Sequence, residues 1–503
     1  MEPSAPSIRR QAALLAASFI LALFANGRFA VSACEWLYPM FLLRYTRDLR
    51  RWRAWLPAWI ACSVVAAFQF WTMYPIPPPA RVGVCAFTGF MGMTPYWFDR
   101  WVSRRWPGFL GSLALPCAVA ARDLGLAHVS SFGTWGSCGY TQLGNLPLLQ
   151  VAALAGLPGI AFLVSWPAAV ANWAWERRKR AAAMLPKGLV AVAAVYAAVF
   201  CYGESRLIDN RPADSSVRMA GITPDDDAPI FPNYAVQQRF WSGAALAPAE
   251  SSAIQANFDA ITDTLCARTR READAGAHLV VWSEAAAWTM RTHETQLAAR
   301  LADLARTQNI FLGATVHSVA PGETKPARNE LYLFGPDGSR LFQYLKSRLV
   351  PGPEAEGTET NGNPVPVVAT SLGRISGQIC FDLDFPQWAA ATGRGGADLL
   401  ISPANDWREI DPWHTRMISV RAIENGCSLL RCTSHGRSIA VDRFGRTLAT
   451  SDYFAGDRSI VAMVPLKGRE TVYARTGDLF GVVCVAASAL LAIIPLIVSP
   501  KIS

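Results

Sequence analysis

The chain has 503 residues, of which 51% are hydrophobic and only 17% charged, with a formal net charge of +9. Soluble domains carry about 25% charged residues, so this composition excludes a uniformly soluble body. The basic excess does not point to nucleic acid, because the arginines sit in short clusters between apolar runs with no recognition motif beside them.

Taken in chain order, apolar runs fall at 11–26, 29–44, 54–74, 82–99, 107–126, 147–174 and 185–203, with an eighth at 479–498. A helix crossing a bilayer needs about 17 to 25 mostly apolar residues, so these eight runs predict a helical transmembrane bundle. The first two are short and nearly continuous. Arg9 and Arg10 ahead of the first run would also suit a cleavable signal peptide, but six later runs favour an uncleaved anchor.

Charge sets the orientation. With the N-terminus inside, the inner connections carry Arg44, Arg47, Arg50, Arg51 and Arg53, then Arg100, Arg104 and Arg105, then Arg177, Arg178, Lys179, Arg180 and Lys187. The outer connection from Ala127 to Asn145 carries no lysine or arginine. Positive residues stay on the cytoplasmic side. Seven runs then leave the segment from about 204 to 476 outside, and the eighth returns Lys501 to the cytoplasm. The predicted domains are therefore a membrane domain at 1–203, a linker at 204–214, a catalytic α/β domain at 215–476 and a last transmembrane helix at 477–503.

The outer segment alternates strands with helices. Strands are predicted at Val217–Thr223, His278–Ser283, Ile310–Val316, Leu331–Phe334, Val365–Thr370, Arg374–Cys380, Asp398–Ser402, Ser428–Arg431 and Ser438–Asp442. Helices are predicted at Ala249–Gly276, near Glu294–Gln308 and near Pro412–Asn425, with turns at Pro336-Asp337-Gly338 and Asp442-Arg443-Phe444-Gly445. Such alternation favours layered α/β packing. Eleven cysteines form no C-x-x-C pair and no Cys/His ligand set, so neither a metal nor an organic cofactor is predicted. The spacing of Cys427 and Cys432 permits a disulfide without requiring one.

Three chemically capable residues share one setting. Glu284 ends the strand LVVWSE, Lys346 follows LFQYLK, and Cys380 ends RISGQIC. Polar groups at the ends of apolar strands are where α/β folds place working residues. A carboxylate base, an ammonium and a thiol together suit acyl transfer, with the thiolate as nucleophile and the lysine facing the oxyanion. Taken alone, each has an ordinary reading as a core cysteine or a solvated strand cap.

VVWSEAA, YLKSRLVPGPE and GQICFD resemble, in order, the three signature segments of the nitrilase (carbon–nitrogen hydrolase) superfamily. The resemblance implies an αββα sandwich, with Glu284 as general base, Lys346 as oxyanion stabiliser and Cys380 as nucleophile. It also implies a supporting role for Glu354, eight residues after the lysine. A nitrilase domain set between seven spans and one more resembles the bacterial apolipoprotein N-acyltransferases. The segments WGSCGYTQLGNLPLLQVAALAGLPGIAFLV, RAIENGCSLLRCTSHGRS and VYARTGD resemble that family too.

Several positions depart from the family pattern. Phe381-Asp382 replaces Tyr-Glu after the nucleophile, and Thr223-Pro224-Asp225 replaces Gln-Gly-Asn after the first strand. SPANDWREIDPW matches only loosely at Asn405, Asp406 and Trp407, and Ser434-His435-Gly436 replaces Asn-Asn-Gly. The resemblance implies a phospholipid acyl donor, a thioester on Cys380, and the α-amino group of a diacylglyceryl-cysteine lipoprotein as acceptor, in a bacterial inner membrane. The N–H of Phe381 is expected to help hold the oxyanion, and Asp382 to support the site. Ala285–Met290, with Trp288, is expected to form a water-excluding lid, and Trp288 and Trp407 to meet substrate. Other readings stay open: a membrane-tethered amidase or nitrilase that gives its acyl group to water, an N-acyltransferase with a different amine acceptor, and a silent homologue with a binding role. A transporter is disfavoured, because the helices show no inverted repeat.

Overall fold

The computed structural model describes residues 7–49, 55–106, 108–178, 185–208, 216–225, 230–244 and 246–497. Of the basic residues used for orientation, Arg50, Arg51, Arg53, Lys179, Arg180 and Lys501 lie outside that set, as does the 209–214 part of the predicted linker. The chain divides into two compact units, Met1–Asp209 with Thr476–Ser503, and Asn210–Arg475.

Every apolar run of the first unit is helical. The helices are α1 (Ile8–Leu23), α2 (Ser32–Asp48), α3 (Trp55–Phe70), α4 (Pro78–Arg105), α5 (Ala114–Val129), α6 (Ala152–Arg177), α7 (Leu185–Ile208) and α13 (Leu479–Ile497). α7 runs on to Ile208, into the stretch read as a linker. α4 opens on proline, whose fixed φ suits a first helical turn. Gly156 (φ +62°) breaks the helical path inside α6. By length and composition, Phe109–Val129, Ala152–Arg177 and Lys187–Ile208 can cross a membrane, while Trp55–Phe70 and Leu479–Ile493 are apolar but shorter. α4 is long enough but less apolar, because Gly83, Thr88, Gly89, Gly92, Thr94 and Pro95 dilute its hydrophobic residues between Arg81 and Asp99. Among the described residues, a short helix at Leu146–Leu149 accompanies these eight, and only three stretches qualify as spans on these terms.

The ends of the helices sort by charge. Arg47 of α2 pairs with Asp99 of α4 at 2.8 Å and with Glu176 of α6 at 3.3 Å. Arg100 donates to the carbonyls of Thr46 and Leu49. Three helix ends predicted to share one side therefore meet there. At the opposite ends, Asn26 donates to the Gly136 carbonyl at 3.0 Å and Trp36 to Gln142 at 3.0 Å.

The second unit is built on two sheets. The first takes β1 (Ser216–Ile222), β2 (Leu279–Trp282), β3 (Ala287–Met290), β4 (Phe311–Val319), β5 (Ala327–Phe334), β6 (Arg340–Leu345) and β13 (Ser459–Pro465). Its order is β13-β1-β2-β4-β5-β6, with β3 paired to β4. The second takes β7 (Val367–Thr370), β8 (Gly373–Gly377), β9 (Leu399–Asn405), β10 (Ser428–Ser434), β11 (Arg437–Val441) and β12 (Thr447–Asp452), in the order β12-β11-β10-β9-β8-β7. β1, β2 and β4 run parallel, as do β8, β9 and β10.

Strand alternation explains the layers. Leu279 and Val281 of β2 share one core with Leu399 and Ile401 of β9 and with Leu430 and Cys432 of β10. Val280 and Trp282 face the other way, onto Leu265 of α8 (Pro248–Asp274) and Leu301 of α9 (Glu294–Gln308). Leu400 and Leu429 face outward on the second sheet, onto Ala389 of α11 (Pro386–Arg394) and Ile418 of α12 (Trp413–Asn425). The order is helix, sheet, sheet, helix. Strands covered on both faces read as continuous apolar runs, which is why LVVW and SLLRC show no alternation. Cys427 and Cys432 are buried, unpaired thiols.

Backbone space fixes the end of α12. Gly426 (φ +68°) would place an added Cβ 1.8 Å from the Arg469 carbonyl oxygen, whereas Gly276 (φ +91°) has nothing within 4 Å. Both substitutions by alanine carry a left-handed penalty of about 1 kcal/mol, but only Gly426→Ala must also move the 469 strap. Thermal unfolding in detergent should show a clearly larger drop in Tm for Gly426→Ala than for Gly276→Ala; equal drops would remove the strap from the explanation.

Candidate active site

The carboxyl ends of β2, β8 and β9 lie at one end of the sandwich, and the loops beyond them carry the polar side chains. The Glu284 N–H, just past β2, donates to the Ala404 carbonyl of β9 at 3.2 Å, and the Asn405 N–H donates to Glu284 Oε2 at 2.8 Å. These two bonds join one sheet to the other. Ala285 then turns with φ +51°.

Lys346, just past β6, is 1% exposed. Its Nζ donates to Glu284 Oε1 at 2.7 Å and to Glu354 Oε1 at 2.6 Å. Glu354 sits on the short helix α10 (Pro353–Gly357), and its Oε2 accepts from the Val350 N–H at 2.7 Å. Asn329 of β5 also donates to Glu284 Oε1, at 2.7 Å. Burial disfavours the ammonium, but Glu284 and Glu354 outweigh it and hold Lys346 well above the usual lysine range.

Cys380 does not end a strand. β8 stops at Gly377, and Cys380 opens a tight 3₁₀ turn, Cys380–Asp384, with φ +46°. A non-glycine residue in that region costs about 1–3 kcal/mol and persists only where its surroundings impose it. Asp382 does so here. Its Oδ2 accepts from the Ile379 N–H and the Tyr344 hydroxyl, each at 3.0 Å, and its Oδ1 from the N–H groups of Ser347 at 3.1 Å and Arg348 at 2.7 Å. One carboxylate therefore ties the cysteine turn to the two residues after the lysine. Burial pushes Asp382 up to about 7, with Lys346 and these donors opposing. Phe381, with no hydroxyl to offer, packs edge-to-face on Phe385 at 5.3 Å.

Behind the thiol lies a buried ionic group that the sequence reading left out, apart from a loose match at Asp406. Cys380 Sγ is 3.9 Å from Asp406 Oδ1. That oxygen is 2.8 Å from His414 Nδ1 and 3.0 Å from Arg431 Nη2, and His414 Nε2 meets Asp384 Oδ2 at 2.9 Å. Burial works against the His414 charge, yet Asp384 and Asp406 raise it to about 9. Burial likewise opposes the Asp406 charge, and His414 and Arg431 bring it down to about 2. Burial and the Glu284 charge push the Cys380 thiol well above its usual range, with Lys346 and Arg431 only partly offsetting them. Arg431 was the legible signal: an arginine between Leu430 and Cys432 in an apolar strand must find a buried partner.

Cys380, Asp406 and His414 offer ligand atoms within 4.8 Å of one another, close enough for a metal. The Arg431 guanidinium, 3.0 Å from both Asp406 Oδ1 and His414 Nδ1, occupies that neighbourhood with the wrong charge for a dication. The trio fits a hydrogen-bonded relay instead.

The two tryptophans expected to meet substrate sit in different settings. Ala287–Met290 is the strand β3, paired with β4, and Trp288 packs against His317 at 4.3 Å and Phe258 at 5.9 Å. The anticipated lid is thus part of a sheet, because β-branched and aromatic side chains on a pleated edge pack better than they flap. Trp407 lies half-buried on the loop beyond β9.

Residues 243–472 match the carbon–nitrogen hydrolase family, and residues 13–170 match the N-terminal domain of apolipoprotein N-acyltransferases. The chain belongs to the apolipoprotein N-acyltransferase family. Among its relatives, the apolipoprotein N-acyltransferase of Geobacter metallireducens is 28% identical, over 76% of this chain and 73% of that one. That of Bradyrhizobium diazoefficiens is 26% identical over the same shares of the two chains. A solved amidase from Nesterenkonia sp. is also similar, at 19% identity, covering 50% of this chain and 92% of that one with a TM-score of 0.38. Family membership accounts for a helical unit and a nitrilase-type unit on one chain.

The relay has a pH signature. His414 has a folded value near 9 and an unfolded one near about 6.5, so its contribution to stability is complete below the unfolded value and is lost as pH rises through the folded one. The Tm of the wild-type chain in detergent should fall between pH 6.5 and 9, and His414→Gln should flatten that part of the curve. An unchanged slope in the variant would count against a charged His414.

Proposed function

We propose that this chain is a membrane-bound N-acyltransferase that moves a fatty acyl group from a phospholipid, through a thioester on Cys380, to the α-amino group of a diacylglyceryl-cysteine at a lipoprotein N-terminus. The observation that carries this reading is the Lys346 ammonium held between Glu284 and Glu354 beside a turn that presents Cys380. The relatives named apolipoprotein N-acyltransferase support N-acylation of an apolipoprotein.

Glu284 takes the Cys380 proton as the sulfur attacks the ester carbonyl. The thiol is too weak an acid in this setting to ionise beforehand, so transfer and attack occur together. The carbonyl electrons move to oxygen, and that oxyanion faces Lys346 and the Phe381 N–H. The C–O bond then breaks, and Glu284 returns the proton to the departing lysophospholipid oxygen. In the second half, the acceptor amine attacks the thioester carbonyl while Glu284 accepts its proton. The C–S bond breaks, the amide is released and the proton returns to sulfur. Both carriers are bulky lipids, and two half-reactions let one site serve them in turn.

The eight helices cross the membrane in this reading, with the catalytic unit on the extracytoplasmic side. Arginine clusters at the shared ends of α2, α4 and α6 support that orientation. Three of the four bonds to Asp382 come from backbone N–H groups and the fourth from the Tyr344 hydroxyl, so its replacement of a family glutamate gives no support to a water acceptor.

Intact-protein mass spectrometry tests the proposal. Detergent-purified wild type mixed with a defined phospholipid should gain one fatty-acyl mass, and a diacylglyceryl-cysteine peptide should remove it and become N-acylated. Cys380→Ala should gain nothing. An adduct that water alone discharges would favour a hydrolase, and the absence of any adduct would overturn the donor assignment. Lys346→Met, which keeps the volume and removes the oxyanion partner, should lower the acylation rate by at least about 100-fold.

A further inference from the structure

In the resting site, the base that the mechanism needs is already engaged. Glu284 Oε1 takes Lys346 Nζ and Asn329 Nδ2, and Oε2 takes the Asn405 N–H. The sulfur of Cys380 instead lies on Asp406. We propose that Asp406, pinned by His414 and Arg431, is a positioning residue that anchors the Cys380 thiol by accepting its S–H, while being too weak a base to remove the proton.

Three observations support this assignment. Asp406 is backed by two cationic side chains, His414 at 2.8 Å and Arg431 at 3.0 Å, which leave it no appetite for a third proton. His414 is in turn fixed from behind by Asp384 at 2.9 Å, so the carboxylate cannot swing away without breaking a buried chain of contacts. The whole group is buried, with Asp384 and Arg431 at 0% exposure, so water does not compete for these bonds. A thiol on a residue with φ +46° has a fixed Cα–Cβ direction, and an acceptor at the far side then selects one rotamer. The anchor thus stores the nucleophile as a thiol, oriented and protonated, until a substrate carbonyl draws the sulfur toward Glu284. No bond is made or broken in this step, and the proton leaves only in the acyl transfer already described.

The charges facing the sulfur come from several elements: Glu284 beyond β2, Lys346 beyond β6, Arg431 on β10 and Asp406 beyond β9. Glu354 acts on it through Lys346, and His414 and Asp384 through Asp406. Removing one sign at a time from the rear group therefore has a predictable direction. Asp406→Asn keeps an acceptor oxygen but deletes a negative charge, and Asp384 still holds the His414 proton. His414→Gln deletes a positive charge and keeps a donor.

The inference rests on Cys380 being the nucleophile, but its test does not require turnover. The full-length enzyme in detergent is treated with iodoacetamide across a pH series, and modification of the Cys380 peptide is followed by mass spectrometry. Asp406→Asn should displace the rate profile toward lower pH by about one unit, so that alkylation at a fixed pH below the midpoint is about tenfold faster. His414→Gln should displace it the opposite way by a similar amount. Acylation by phospholipid should slow in both variants, because the thiol loses its preset direction. Displacements of opposite sign establish the anchor. Profiles that keep their place on the pH axis, or move together, overturn it whatever happens to Tm. Each variant also carries its own expected direction, so where one fails to fold, a displacement of the other against that direction, or none, overturns the proposal. Retention of full acyltransferase activity by Cys380→Ala would sink the nucleophile assignment instead, a separate outcome.

Discussion

A buried ammonium is the constraint around which the catalytic unit is arranged. Removing a charge from water costs several kcal/mol unless paired groups of good geometry replace the solvent. Lys346 can be 1% exposed only because two carboxylates reach it. Glu284 must therefore arrive at the end of β2, and the loop after β6 must fold back as α10 to deliver Glu354. Asn329 and the Asn405 N–H then fill the remaining lone pairs of Glu284. Each partner fixes a different segment, so the position of one side chain propagates into the packing of both sheets.

Around that ion cluster the charges are distributed so that the sulfur stays protonated. Carboxylates lie on two sides of Cys380, and the cations beside it are already committed to them. An exposed thiolate would be more reactive, but toward any electrophile. A buried thiol held protonated is spared that general reactivity, because only a group that enters the same enclosed space can reach it.

Much of this was legible in the residues. Glu284, Lys346, Cys380 and Glu354 follow apolar strands within short recognisable segments, and the structure brings the lysine and both glutamates together. The strands LVVW and SLLRC could be located by their unbroken apolar character, though that same feature hid which face pointed where. The turn at Cys380 was missed because RISGQIC reads as strand throughout; only the reach of Asp382 back to Ile379 bends it. β3 was missed because four residues, AWTM, offer too little pattern to separate a strand from a loop. Of the relay of Asp384, Asp406, His414 and Arg431, only Arg431 gave a clear signal, as a charge inside an apolar strand, and the set as a whole was out of reach for a different reason. Its members are spread over separate elements, and no spacing rule joins them.

The bonds between Glu284 and the β9 end have a further meaning for how the protein matures. Glu284 and Lys346 follow strands of one sheet, and Asp406 follows a strand of the other. No fragment ending before β9 can therefore hold the complete set. While the chain is being made, the cysteine emerges well before Asp406 and Arg431, and until they close over it the sulfur is only one more thiol in an unfinished core. Its surroundings are completed late, as a property of closure between two sheets and not of the local peptide. The same dependence makes this thiol a reporter of assembly: its burial and its neighbours exist only once the two sheets have met.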